Sequence, residues 1–263
     1  MSGRLESWVA SANQAETSFP LNNLPCGVFS RGGDAPRCCT AIGDQVLDLA
    51  WLQRAGLLDG LPAVFDQPSW NGFMAAGTAA WSALRQRLTG LLSAGAAEEA
   101  QLRPTLVPLT EVQLHLPFTV AEYTDFFSSE DHARNAGMAL RGADMLAENW
   151  VHIPVGYNGR ASTVVVSGTP VRRPLGQVLP AGATMPVFAA SARMDFELEL
   201  GAVVGLPNRP GEPVTLAEAE AMIFGYVLLN DWSARDIQGW ENRPLGPFQS
   251  EGFATSIGAR IVT

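Results

Sequence analysis

The chain has 263 residues, 47% of them apolar, and a formal net charge of −9. That length admits one large domain or two ordinary ones, and the apolar share excludes wholesale disorder. With 17 Lys and Arg against 26 Asp and Glu, the chain lacks the basic surplus that nucleic acid or an anionic membrane surface demands.

Taken in order, residues 1–25 are polar and aperiodic, which predicts an irregular lead-in. Short strands begin at Cys26. The apolar runs flanking Gly43-Asp44 predict a hairpin, with 45–49 as its second strand. Residues 69–95 carry Phe73, Met74, Trp81, Leu84, Leu88, Leu91 and Leu92 at helical spacing, which predicts one amphipathic helix capped by Ser69 or Asn71. Pro104 and Pro108 mark residues 101–115 as a crossover, and a domain boundary is expected near residue 115. The two domains are therefore 1–115 and 116–263.

In the second domain, short strands are expected at 163–166, 196–200, 202–204 and 223–229. Residues 216–223 read as a helix capped by Thr215. The apolar, strand-like run at 258–263 stops in mid-pattern, which predicts an incomplete sequence. No apolar run reaches the ~18 residues of a membrane span, and Met1 to Phe19 has no secretory pattern. Cys26, Cys38 and Cys39 show neither disulfide nor zinc spacing. A reducing, cytoplasmic setting is expected.

The chemistry centres on acids. From 194 to 200 the chain alternates, which places Glu197 and Glu199 on one face of a strand, roughly 7 Å apart. Paired carboxylates repel each other and need a cation or a shared proton. Asp125 lies among aromatics, and Asp231 follows the apolar run 225–229. Together they offer an all-oxygen donor set, which selects Ca²⁺ or Mg²⁺ over zinc. Taken singly, each acid also fits a solvated surface or an ion pair. His132, seven residues after Asp125, fits either a structural role or the base for a metal-adjacent water. His115 and His152 carry only a structural reading. Arg141, Tyr157 and Arg160 suit a carboxylate substrate, or the surplus acids of the chain itself.

The strings NLPCGVFS, AIGDQVLDLA, FTVAEYTDFFSSEDHARNAG, IPVGYNGRASTVVVSGTPVRRPLGQ, DFELELG and LLNDWSARDIQGWENRPLGPF closely resemble the fumarylacetoacetase (fumarylacetoacetate hydrolase) family, in order and with few gaps. The resemblance implies a mainly β, α+β fold. Its parts are an N-terminal SH3-like small barrel and an incomplete mixed β-sandwich roll. It implies hydrolysis of a carbon–carbon bond in 4-fumarylacetoacetate, the last step of tyrosine and phenylalanine breakdown, usually by a homodimer. By position, Asp125, Glu197, Glu199 and Asp231 match cation ligands, and His132 matches the base. Arg141, Tyr157 and Gln238 match substrate contacts, and Thr255 matches a second, Mg²⁺-type site.

Three positions depart from the family pattern. Phe127 and Asn242 stand where the family has substrate-binding tyrosines. Glu251 stands where it has a lysine, and is grouped here with the metal set as a further carboxylate. Family chains also continue past residue 263 with a carboxylate that orients the histidine. The alternatives are a related hydrolase, decarboxylase or isomerase on another 2,4-dioxo acid, and an inactive truncated relative.

Overall fold

The computed structural model describes residues 3–142 and 146–263, the side chains of 139–141 excepted. It is a mixed α+β chain built mainly of strands in several sheets. Two compact units share it: Met1–Thr119 with Leu200–Leu229 and Ile257–Thr263, and Val120–Glu199 with Asn230–Ser256. Among the described residues, no helix is long and apolar enough to cross a membrane.

The first unit is organised on a six-stranded sheet. Cys26–Ser30 pairs antiparallel with Arg37–Ile42, which pairs with Gln45–Asp48, which pairs with Val107–Pro108. The other edge of Cys26–Ser30 is shared by Arg260–Ile261 at its start and Gln113–His115 at its end. The strands do not close into the small barrel that the resemblance implied. Val107–Pro108 makes only the pairs Gln45↔Pro108 and Val46↔Val107. Closing a sheet requires continuous staggered pairing around the ring. Residues 101–115 thus supply two strands of this sheet and are not a bare crossover.

The hairpin forms where the apolar runs placed it, with Ile42 opposite Gln45. Gly43 has φ 58° and, among the described residues, none other than glycine has positive φ, the pattern of a type II′ turn with glycine in its first central position. The predicted helix at 69–95 is two helices, Asn71–Met74 and Thr78–Leu92. Gly77, at φ 86°, lies outside the helical region and separates them. Trp70 holds the cap position of the first without a side-chain hydrogen bond, and the second also has none. Neither Ser69 nor Asn71 holds the cap position, but Ser69 Oγ accepts the Asn71 N–H at 3.2 Å at the start of the first helix. Leu84, Leu88, Leu91 and Leu92 are buried as the spacing required.

Trp70, Phe65, Phe73 and Phe29 fill the centre of the first unit. The Trp70 indole N–H, which would be costly to bury alone, donates to the Gly27 carbonyl at 2.8 Å. The lead-in is irregular, as expected, yet it is packed: Trp8, Val9, Ala12, Leu21 and Leu24 are buried. Ser7 Oγ and Trp8 Nε1 donate to the carbonyls of Leu92 and Leu91 at 2.6 and 2.9 Å, which satisfies otherwise unpaired groups at a helix end.

The second unit carries the acids. Thr124–Phe126 and Gly156–Asn158 form a two-stranded ribbon, and the helix Glu130–Arg141 follows the first of these strands. Met194–Val204 and Ile223–Ala234 are neighbours in a sheet that continues through Thr255–Ile257 to Val164–Val166. Leu216–Met222 has the full capping box of Thr215 and Glu218. The three cysteines are free and buried. Burial pushes the Cys38 thiol up to about 12 and raises those of Cys26 and Cys39 as well, so none is poised as a nucleophile.

Gly43→Ala is expected to destabilise the protein by at least about 1–3 kcal/mol, the cost of a strained backbone residue. The added Cβ would also lie 2.6 Å from the Ala12 nitrogen. A urea denaturation midpoint unchanged from wild type would refute this.

Candidate metal and catalytic site

The strand Met194–Val204 inverts the usual polarity of a half-buried strand. Phe196 and Leu198 are 61% and 77% exposed, whereas the alternate residues Glu197 and Glu199 are half-buried. The period of two reads correctly from sequence, but the acidic face is the inner one. Asp231, 7% exposed, comes from the neighbouring strand Ile223–Ala234. Asp125 comes from the ribbon, directly across from Tyr157.

Carboxylate oxygens of Asp125, Glu199 and Asp231 all lie within 4.8 Å of one another. Such crowding is unfavourable for bare anions, and their acidities record it. Burial, then Asp125 and Glu197, push Glu199 up to about 7. Burial, then Glu251 and Glu199 foremost, push Asp231 up to about 9. Burial, then Glu197 and Asp125, push Glu251 up to about 8, against an opposing pull from Arg235. Burial and Glu197 also raise Asp125, with His132 opposing. Hard oxygens converging in this way suit Ca²⁺ or Mg²⁺, and the charge of a bound cation would remove the repulsion.

Glu197 is placed differently from the other ligand candidates. One oxygen accepts from Arg235 at 2.6 Å and the other lies 3.3 Å from His132 Nε2. It links the histidine to the acids and is not itself in the tight triad. His132 stands in the first turn of its helix, where its backbone N–H donates to the capping Ser129 Oγ at 3.2 Å. Its ring is 43% exposed, so water reaches it. The Phe127 ring stands edge-on to it, with centroids 5.4 Å apart.

Gln238 and Glu251 sit together: Gln238 Nε2 donates to Glu251 Oε1 at 2.7 Å, and Arg235 donates to Gln238 Oε1 at 3.0 Å. Thr255 is buried, its hydroxyl 3.1 Å from the Tyr123 hydroxyl. Tyr123 packs on Gly159, where an added Cβ would run into its ring. Tyr157 lies against Gly246. Asn242 ends the helix Arg235–Glu241 through its backbone N–H, bonded to the Gln238 carbonyl. The side chain of Arg141 lies outside the described residues. Arg160 stacks on Phe248 at 5.1 Å. His115 bonds Ser30 at 2.8 Å, and His152 is exposed.

Arg235 was missed in the sequence. It donates to Asp195 at 2.9 Å as well as to Glu197, and lies 4.0 Å from Glu251. The available signal was its position four residues after Asp231, at the point where an apolar strand turns into a helix.

An inward-facing carboxylate triad, with a histidine reached through Glu197, on an α+β scaffold could hold a metal ion. Residues 22–117 match the description "Fumarylacetoacetase N-terminal", and residues 122–263 match "Fumarylacetoacetate (FAA) hydrolase C-terminal". The chain belongs to the fumarylacetoacetate hydrolase family. It is 48% identical over 256 residues to the fumarylacetoacetases of Bos taurus and Rattus norvegicus, and 48% identical over 259 residues to that of Caenorhabditis elegans. These alignments cover 94% of this chain but only 61%, 61% and 62% of those proteins. A solved fumarylacetoacetate hydrolase from psychrophilic Exiguobacterium antarcticum matches the fold with a TM-score of 0.53 at 16% identity, over 91% of this chain and 66% of that one.

The raised acidities carry a pH signature. Unfolded carboxyls ionise near pH ~4, whereas Glu199, Glu251 and Asp231 in the cation-free fold do so at about 7, 8 and 9. Between these limits the folded state binds more protons than the unfolded one, so stability falls as pH rises. Melting temperature in EDTA is expected to decline from pH 5 to pH 9, and saturating Ca²⁺ to raise it more at pH 8.5 than at pH 5.5. A Ca²⁺ increment that is flat across this range would contradict the assignment.

Proposed function

We propose that this chain supplies the cation site and base of a hydrolase. The enzyme cleaves a carbon–carbon bond of 4-fumarylacetoacetate to give fumarate and acetoacetate, the last step of tyrosine and phenylalanine breakdown. The observation that carries this reading is the chain of contacts from His132 through Glu197 to Arg235, beside the Asp125–Glu199–Asp231 triad. The likeness to the fumarylacetoacetases supports the choice of substrate. Asp125, Glu197, Glu199 and Asp231 are the proposed cation ligands, and Glu251 and Thr255 are outer members of that set. Residues 116–263 are the proposed catalytic part and 1–115 the N-terminal part. A cytoplasmic homodimer with no nucleic-acid or membrane partner is the matching setting.

A bound Ca²⁺ or Mg²⁺ would supply Lewis-acid polarisation of the substrate's ketone oxygens. The protein's own groups do the rest. His132, open to solvent on one side, removes a proton from a water molecule. The water oxygen bonds to the ketone carbon, and the adjacent carbon–carbon bond breaks. Its electron pair stays on the departing acetoacetate carbon, which takes up a proton. Glu197, 3.3 Å from Nε2, favours the imidazolium formed in between, much as a carboxylate does in hydrolytic triads. Arg235 fixes Glu197 in turn. The substrate contacts proposed are Arg141, Tyr157, Gln238, Phe127 and Asn242.

Glu251 would repel the developing negative charge if ionised. In the cation-free cage burial and the neighbouring carboxylates push its acidity up to about 8, and one of its oxygens accepts from Gln238 at 2.7 Å. A second reading, a hydrolase or decarboxylase for another 2,4-dioxo acid, is favoured by Phe127. Its ring offers the site an apolar edge beside His132 where a tyrosine would offer a hydroxyl. An inactive role remains as the reading if no dioxo acid is turned over.

In the full-length protein, His132→Ala is expected to lower kcat on fumarylacetoacetate by about 10²–10⁴, the usual contribution of a general base. Disappearance of the conjugated diketone absorbance follows the reaction. An unaffected kcat removes His132 from the mechanism. Preference for oxaloacetate or an acylpyruvate over fumarylacetoacetate selects the second reading.

A further inference from the structure

Glu241 ends the helix Arg235–Glu241, which also carries Arg235 and Gln238. Its carboxylate accepts three consecutive backbone N–H groups. Oε1 binds those of Phe248 and Ser250 at 2.8 and 2.7 Å, and Oε2 binds that of Gln249 at 3.1 Å. These amides open the short helix Gln249–Gly252, which contains Glu251. The chain leaves one helix at Glu241, runs through residues 242–247 and returns to the same helix at two points. At one, the backbone of 248–250 closes on Glu241. At the other, one turn earlier, Glu251 accepts from Gln238 at 2.7 Å. Thr163 Oγ1 ties off the far end of the short helix by donating to the Gly252 carbonyl at 2.8 Å.

A surface glutamate bonded to water makes no such set of contacts. Three amide donors favour the ionised carboxylate. The hydrogen bonds from Ser250, Phe248 and Gln249 outweigh partial burial and hold Glu241 below the usual carboxylate range. The same helix that places Arg235 on Glu197 therefore also sets where Glu251 enters the acidic cage.

We propose that Glu241 is a positioning residue: by clamping the amides of Phe248, Gln249 and Ser250 it holds Glu251 within reach of Gln238 and beside the proposed cation-binding carboxylates. The effect on cation affinity rests on the cage reading above, whereas the clamp itself does not.

A double-mutant cycle tests it. Glu241→Gln keeps the size but loses the charge and one acceptor oxygen. Calorimetry with Ca²⁺ on the full-length protein is expected to show affinity about tenfold weaker, as for loss of an outer-shell partner. In the Glu251→Gln background the same substitution is expected to change affinity by less than about twofold, because residues acting through one another are not additive. Glu241→Asp, which retains the charge and both oxygens, is expected to recover part of the loss. Equal losses in both backgrounds, or no recovery in Glu241→Asp, overturn the proposal. If the wild-type protein binds no divalent cation, the cage reading fails by itself. Amide hydrogen exchange at residues 248–250 then decides the clamp: faster exchange in Glu241→Gln supports it, and unchanged exchange overturns it.

Discussion

Mutual repulsion among buried carboxylates is the constraint on which the second unit turns. Asp125, Glu199 and Asp231 come within 4.8 Å of one another, and Glu197 and Glu251 add to the field that each feels. A fold does not gather anions in this way for its own stability, because each must shed water without gaining a matching partner. Arg235 offsets part of the charge, but its bonds go to Asp195 and Glu197 and not to the triad. The remaining charge could be met by a metal ion, and an all-oxygen set favours a hard one.

The supporting residues divide the work by distance from that charge. Glu197 couples the triad to His132. Arg235 holds Glu197, and Asp236 holds the start of the helix that presents Arg235 by accepting from Ser191 Oγ at 2.6 Å and the Ala192 N–H at 2.7 Å. Glu241 closes the far end of the same helix. One seven-residue helix is thus anchored by a carboxylate at each end, and its inward residues, Arg235 and Gln238, meet the site between the anchors. Precision in such a site comes from these outer bonds as much as from the ligands themselves.

Phe127, Asn242 and Glu251 carry unequal weight in this scaffold. The Phe127 ring stands against His132 and Tyr157. Asn242 meets the helix through its backbone N–H, which any residue but proline supplies. Glu251 adds a further carboxyl to the field that Asp231 feels. Its bond to Gln238 and its raised acidity show how the fold accommodates it.

Much of the acidic face was legible in the linear chain. The alternation at 194–200 established a strand with Glu197 and Glu199 together, because side chains in extended backbone alternate regardless of surroundings. The hairpin at Gly43-Asp44 and the cap at Thr215 were likewise readable, since both depend on residues within a few positions of one another. Local chemistry did not reveal the break at Gly77: glycine is tolerated inside many helices, and only packing decides whether it continues one. Nor did it reveal which face of 194–200 turns inward, that the sheet of the first unit stays open, or that 200–229 and 257–263 join residues from the start of the chain. Arg235 and Glu241 escaped notice for the same reason. Their partners lie some forty residues away or across a loop, and ion pairs and amide clamps of that kind depend on distances in space, which only the tertiary structure sets.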